Sequence, residues 1–278
     1  MLCHKWCTHT THPFLYRLTE DDKTYLQKYP DEKTVSVSGF IGPREQLAEF
    51  FESHPKTDYF IRLSTISPKD AYWLANQTDE GSDDDEPMTL EDIQNEIGFL
   101  RVGVPSRGSV EAAVAHCLML MTVSERIQFE IKFNPEEDFS LVLFEWDEIN
   151  HRTETRCYIR DGRVIGISQY YVDLTGCYSE FDTDELKIRM VEFCNQYTKE
   201  NGHLTTCSLD LTILPDGRIK LIESNSLKES DPCLFTREEL ELGSGSDYPV
   251  EFRFRSRPLT EPEVEPAARP PVPPSAAS

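Results

Sequence analysis

The sequence predicts an α+β fold in which helices come early and antiparallel strands follow, with further helices interspersed. Two observations predict it. Helical stretches predominate before residue 122, whereas period-two alternation sets in from residue 126. The dipeptides Asp161-Gly162 and Asp216-Gly217 each read as a tight turn, so the strands they join run antiparallel. A doubly wound parallel sheet is excluded, because its strands need helical crossovers. Neither GxGxxG nor a Walker-type loop is present. The 278 residues suffice for one large domain or two lobes.

Residues 34–40, TVSVSGF, alternate as a strand. Gly42 and Pro43 open a helix that places Leu47, Phe50 and Phe51 on one side. YFIRL at 59–63 is a short strand. A helix follows in SPKDAYWLA, with Ser67 at the N-cap and Pro68 at the first helical position; Trp73 reads as a packing residue. TDEGSDDDEP, residues 78–87, reads as a solvated, mobile acidic loop. Thr89 caps the next helix, and residues 109–122 form an apolar helix whose Met119 and Met121 fill the core. IQFEIKF, FSLVLFEW, TRCYIR and RVIGISQY read as four strands. An amphipathic helix over 182–200 stops at Asn201-Gly202. Two more strands, TCSLDLTIL and GRIKLIES, precede a short helix near TREELEL. The Pro- and Ala-rich tail from 257 to 278 reads as disordered.

Composition narrows the functional classes. Asp and Glu number 50 against 28 Lys and Arg, for a formal charge of −22. Such a chain is not a general nucleic-acid binder and does not suit an anionic membrane surface. It suits a basic protein partner, or the charge serves solubility alone. No apolar run reaches transmembrane length, and no signal-peptide stretch opens the chain. Eight scattered cysteines read as reduced thiols, and a cytoplasmic location follows. Cys3, His4, Cys7, His9 and His12 loosely match metal-ligand spacing, but no second ligand pair follows at a finger-like distance.

The chemistry concentrates on the hairpin at Asp216-Gly217. If those two residues form the loop, Asp210 and Glu223 are equidistant from it and face each other across the ladder. Asn225, two residues on, points to the same side. Two carboxylates in direct opposition repel. A divalent cation removes the conflict and accepts hard oxygen ligands, an amide carbonyl included. Magnesium held by one or two carboxylates normally also takes substrate phosphates, so a nucleotide is implied. A longer loop would shift the pairing by one and separate the side chains.

Several motifs, in order, resemble the cell division cycle protein 123 family. LIESNSLKESDPCLFTREEL (221–240) resembles its signature of an acidic-x-Asn strand ending and a following Asp-x-x-Leu-Phe, here Asp210, Glu223, Asn225, Asp231, Leu234, Phe235, Glu238 and Glu239. SPKDAYWL (67–74), TLEDI (89–93), LVLFEW (141–146), ETRCYIRDGRVIGISQY (154–170) and, more weakly, KTVSVSG (33–39) fit as well, so the resemblance spans residues 3–242. It implies an ATP-grasp-like fold, with two lobes holding ATP and Mg2+ between antiparallel sheets. The amino-terminal lobe would cover 1–142 and the carboxy-terminal lobe 143–256. It also implies a monomeric assembly chaperone linked to the cell cycle, which binds the gamma subunit of translation initiation factor 2 and promotes joining of the alpha subunit.

On that resemblance, Arg62 would meet phosphate oxygens where the family has lysine, or it is a surface residue. Leu143, Phe144, Glu145 and Trp146 belong to the link between lobes and would read adenine through backbone and apolar contacts; Trp146 equally suits a core. Glu154 and Arg156 share a strand face and serve ribose and phosphate, or form an ion pair. Arg163 is a further phosphate candidate. Asp210, Glu223 and Asn225 bind metal and nucleotide, and Asp231 faces the site or a partner. Phe144 and Tyr170 replace family bases, Glu223 replaces aspartate, and Ser226 replaces a proline. The carboxylate side is thus intact and the cationic side reduced. No residue stands out as a nucleophile or general base. Two alternatives stay open: an ATP-grasp ligase that forms an amide through an acyl phosphate, and a degenerate non-catalytic scaffold.

Overall fold

The computed structural model describes residues 13–28, 41–64, 66–76, 89–242 and 249–256. The strand read over 34–40, the acidic loop 78–87, the amino-terminal cysteines and histidines, the side chain of Trp73 and the tail from 257 lie outside the described residues.

The first sheet contains β1 (Phe14–Arg17), β2 (Asp58–Leu63), β3 (Arg101–Gly103) and β4 (Ser140–Glu145), in the order β1-β4-β2-β3 with every pair antiparallel. Around it pack α1 (Glu20–Lys28), α2 (Ile41–Ser53), α3 (Asp70–Asn76), α4 (Leu90–Phe99), α5 (Val104–Arg107), α6 (Val110–Val123) and α7 (Glu125–Phe133). Alternation along β2 sends Tyr59, Ile61 and Leu63 into a core with Leu47, Phe51 and Leu118. Arg62 therefore points away from that core.

The stretch IQFEIKF is a helix rather than a strand. Ser124 caps it by accepting from the Ile127 amide, and Ile127 and Ile131 are fully buried while Phe129 and Phe133 are exposed. A spacing of two also contains the spacing of four, and the core takes the i, i+4 pair. Burying the two isoleucines contributes roughly 2 kcal/mol each. The helix read from Ser67 begins instead at Asp70. Residues 13–28, which carry no clear periodicity, supply β1 and α1.

The second sheet contains β5 (Thr155–Arg160), β6 (Arg163–Gln169), β7 (Cys207–Ile213), β8 (Ile219–Asn225) and the short β9 (Phe252–Arg253), in the order β8-β7-β5-β6-β9. Its pairs are antiparallel except β6 with β9, which is parallel. A 3-10 turn, His151–Thr153, leads into β5. The helix α8 (Thr183–Glu200) covers one face, its Leu186, Met190 and Cys194 packing on Cys157, Leu209 and Leu211, and Ile93 of α4 joins this second core. The opposite face carries the last helix, α9 (Arg237–Leu242), through Phe235, Leu227 and Leu240 on Tyr158.

Both hairpins differ instructively. Asp161 and Gly162 have φ of 51° and 75°, the two left-handed positions of a two-residue turn. At Asp216-Gly217 the loop is three residues long: the Gly217 amide bonds to the Leu214 carbonyl, the Leu214 amide to the Arg218 carbonyl, and only Gly217 (φ 82°) is left-handed. That extra residue shifts Ile213 opposite Ile219 and Leu211 opposite Leu221. A bulge beyond Leu211 then restores Asp210 opposite Glu223. Among the described residues no helix is long and apolar enough to cross a membrane.

Candidate functional site

The sequence of β7 alternates Cys, Ser, Leu, Asp, Leu, Thr, Ile, and every one of these residues is buried. The apolar set faces α8. The polar set, Ser208, Asp210 and Thr212, lies on the face away from α8 and demands partners there: Ser208 meets Ser230, and Thr212 meets Thr153 and the Asn150 carbonyl. Arg156, directly opposite Asp210 on β5, supplies those of Asp210. Its Nε donates to Asp210 Oδ1 at 2.7 Å and its Nη2 to Oδ2 at 2.8 Å, a two-pronged fork inside the protein. Of the two roles open to Arg156, the structure thus shows the cross-strand ion pair. Asn225 bridges both carboxylates, its Nδ2 lying 3.1 Å from Glu223 Oε1 and 3.4 Å from Asp210 Oδ2.

A cavity of about 260 Å³ opens between the sheets at this cluster. Arg62, Lys69, Arg126 and Arg156 bring positive charge to it, and Glu223, Glu229 and Asp231 negative charge, with Asn225 and Ser67 between them. Burial opposes the charge of Glu223, but Lys69 and Arg62 hold its carboxyl below the usual range. Burial pushes the Asp210 carboxyl up to about 7; Glu223 and Glu154 add to the rise, against the fork of Arg156. Burial would lower Lys69, yet Tyr170, Glu223, Glu154 and Glu96 together raise it, so it remains an ammonium. Tyr170 stands between two cations, with Lys69 Nζ 5.9 Å and the Arg156 guanidinium 4.7 Å from its ring centre.

The structure brings together Arg62, Arg156, Asp210, Glu223, Asn225 and Asp231. It does not bring Arg163, which flanks the Asp161-Gly162 turn opposite Arg160, at the far end of the ladder from Arg156. Glu154 precedes β5 rather than lying on it; its buried carboxylate is 3.4 Å from His151 Nδ1. Leu143 is in the first core. Phe144 shares the Arg62 face of the first sheet, opposite Phe60, whereas Glu145 is exposed. Trp146 lies under the Arg101 guanidinium, 4.9 Å from its ring centre, and donates to Glu148. Lys69 and Arg126 were not legible. The only signal for Lys69 was its place beside Pro68 at a helix start; for Arg126 the strand reading of its segment concealed the turn from α6 to α7.

Among the described residues no group of three or more His, Cys, Asp or Glu is placed to hold a metal, so a cation here would rely on amide and phosphate oxygens too. The donor set fits magnesium in kind: Glu223, Asp210 and, with its amide turned over, Asn225 Oδ1 are hard oxygens on one face. A second observation points the same way. Ser67 Oγ at the cavity wall is buried without a protein hydrogen-bond partner, a donor suited to an incoming anion.

A two-sheet α+β protein with a mixed-charge cavity between its sheets is therefore the class defined here. Within it, residues 111–270 match the D123 family model. A Xenopus laevis protein described as a translation initiation factor eIF2 assembly protein is 33% identical over 214 residues, which is 72% of this chain and 57% of that one. One from Vanderwaltozyma polyspora with the same description is 27% identical over 229 residues, 76% of this chain and 56% of that one. A Candida glabrata protein described as cell division cycle protein 123 is 26% identical over 84% of this chain and 63% of its own. The structure of Cdc123 from Schizosaccharomyces pombe superposes with a TM-score of 0.60 at 19% identity, covering 88% of this chain and 90% of that chain. The chain belongs to the D123, or cell division cycle protein 123, family. It spans about half the length of the first curated relatives it matches.

Proposed function

We propose that the cavity between the sheets binds ATP with Mg2+, in an ATP-grasp arrangement, and that the nucleotide-bound chain acts as an assembly factor for translation initiation factor 2 through its gamma subunit. One observation carries the nucleotide reading: Arg62, Lys69, Arg126 and Arg156 converge on the cavity that Glu223 and Asn225 also line. Opposite charges held around one solvent space suit a polyphosphate on the basic side and its cation on the acidic side. Glu223, Asp210 and Asn225 would hold the magnesium, which supplies neutralisation of the phosphate charge. Lys69, Arg62 and the Ser67 hydroxyl would bind the phosphate oxygens. Phe60 and Phe144, both half-buried, share the Arg62 face and would offer the base an apolar surface.

The bases replaced at Phe144 and Tyr170 are offset by Lys69 and Arg126, which argues for retained nucleotide affinity over a nucleotide-free scaffold. Turnover is not supported. Burial pushes Tyr170 up to about 12 and raises the Cys233 thiol, so neither is a ready nucleophile or base at neutral pH. The assembly reading rests on the relatives, which are described as eIF2 assembly proteins.

Calorimetric titration tests the nucleotide reading: the protein should bind ATP more tightly with magnesium than without, and show no brisk ADP release. A ligase is the second reading, favoured by one observation. A neighbouring cavity of about 250 Å³, lined by Lys69, Glu96, Tyr170, Tyr171, Val172 and Asp173, shares a wall with the first and could admit a second reactant. ADP release that depends on an added carboxylate and amine would select it.

A further inference from the structure

Asp210 is fixed by Arg156, and Arg156 is itself fixed from outside the sheet. Its third donor, Nη1, reaches the Asp231 carbonyl at 3.4 Å, and the Tyr158 hydroxyl donates to the same oxygen at 3.0 Å. The orientation of the fork therefore depends on where residues 231–235 lie. Those residues form no regular element. Cys233 even holds a left-handed conformation, φ 54°, which a side chain of this type adopts only when its surroundings impose it.

The surroundings are identifiable. The Leu234 amide donates to Ser168 Oγ at 3.1 Å. The Phe235 ring sits on Gly166, where a Cβ would come within 2.8 Å of the ring, and meets Tyr158 edge-on with ring centres 5.7 Å apart. Over the outer side of Phe235 lies Arg253, its guanidinium 4.0 Å from the ring centre. Arg253 Nη1 donates to the Leu234 carbonyl at 3.2 Å, and Nη1 and Nη2 each reach a Glu239 oxygen at 2.9 Å. One side chain thus ties the 231–235 segment to α9 and to the sheet edge. Its own strand, β9, is two residues long and pairs in parallel with β6, so the ladder alone holds it weakly.

We propose that Arg253 is a positioning residue for the cavity between the sheets. It clamps residues 231–235, the Asp231 carbonyl then orients Arg156, and Arg156 orients Asp210 for the cation. Arg253 does not line the cavity itself. The inference rests on the nucleotide reading for its effect on affinity, but not for its effect on the clamped segment. Direct partners of metal ligands carry about 10–100-fold in affinity, and Arg253, which acts on Asp210 through residues 231–235 and Arg156, belongs at the low end, about tenfold.

The experiment compares the wild-type chain with Arg253→Ala, Arg253→Lys and Glu239→Gln. Two quantities are measured: the Kd for Mg-ATP by calorimetry, and the rate of Cys233 alkylation by iodoacetamide without nucleotide, followed by peptide mass spectrometry. Arg253→Ala should raise Kd about tenfold and speed Cys233 alkylation several-fold, with Cys117 of the first core unchanged as an internal reference. Arg253→Lys, which keeps the charge but not the fork, should recover part of both effects. If Arg253→Ala does not fold, Glu239→Gln should show the same direction at smaller size. A faster Cys233 reaction with an unchanged Kd overturns the coupling, and an unchanged reaction rate overturns the clamp. If the wild type binds no Mg-ATP, the nucleotide reading falls, while the alkylation rates still decide whether Arg253 holds the segment.

Discussion

Removing Asp210 does two things at once. It deletes a candidate cation ligand, and it strands the buried Arg156 guanidinium that now rests in its fork. Asp210→Ala should therefore abolish Mg-ATP binding and also cost roughly 3–5 kcal/mol of stability, read from urea unfolding; an unchanged Kd would sink the cation assignment. Lys69 separates these effects, because its charge serves the cavity while its residue is only partly buried. Lys69→Met should weaken Mg-ATP binding by about tenfold or more, with a smaller loss of stability than Asp210→Ala, because Arg62 still faces Glu223. An equal Kd would remove Lys69 from the phosphate side. Face parity made Asp210, Glu223 and Asn225 readable in advance, since hairpin partners share a side. The same parity could not place Lys69, which comes from a turn before α3, nor tell that Arg163 sits at the remote end of its ladder.

At the scale of elements, alternation without context misreads a helix. In α7 the pair Ile127 and Ile131 satisfies either period, and the Ser124 cap decides for the helix. The hairpin of β7 and β8 teaches the opposite lesson: the expected pair, Asp210 and Glu223, forms, although the loop is one residue longer than the turn signal implies. The bulge beyond Leu211 compensates, and it also sends Leu221 to the core while Glu223 faces the cavity. Bulges are set by packing on both faces and leave no local sequence signal. The docking of α6 carries its own test. His116 bonds to the Phe99 carbonyl at 2.7 Å, and burial lowers its pKa, with Arg107 adding to the effect against that hydrogen bond. The unfolded chain then takes up a proton near ~6.5 before the folded one does, so stability present above that pH is lost as pH falls below it. His116→Gln, which keeps a donor for Phe99, should flatten the loss measured by urea unfolding between pH 7.5 and pH 5.5. An identical slope in both proteins would contradict this reading.

At the scale of the whole molecule, the cavity lies between the two sheets, where Arg62 of the first comes near Arg156, Glu223 and Asn225 of the second. The division into helices first and strands later was legible from periodicity. The polar partners that receive Ser208, Asp210 and Thr212 were not, because they come from Ser230, Arg156 and the turn at 150–153, which periodicity does not place against β7. The charge of −22 leaves a surface suited to a basic partner. A tagged chain incubated with eukaryotic lysate should retain the gamma subunit of translation initiation factor 2, and should retain less of it in high salt. The central claim is the nucleotide, and calorimetry tests it most directly. Wild-type protein titrated with ATP should bind in the presence of magnesium and more weakly without it, and Asp210→Ala should not bind. Absence of ATP binding by the wild type, with and without magnesium, would contradict the account.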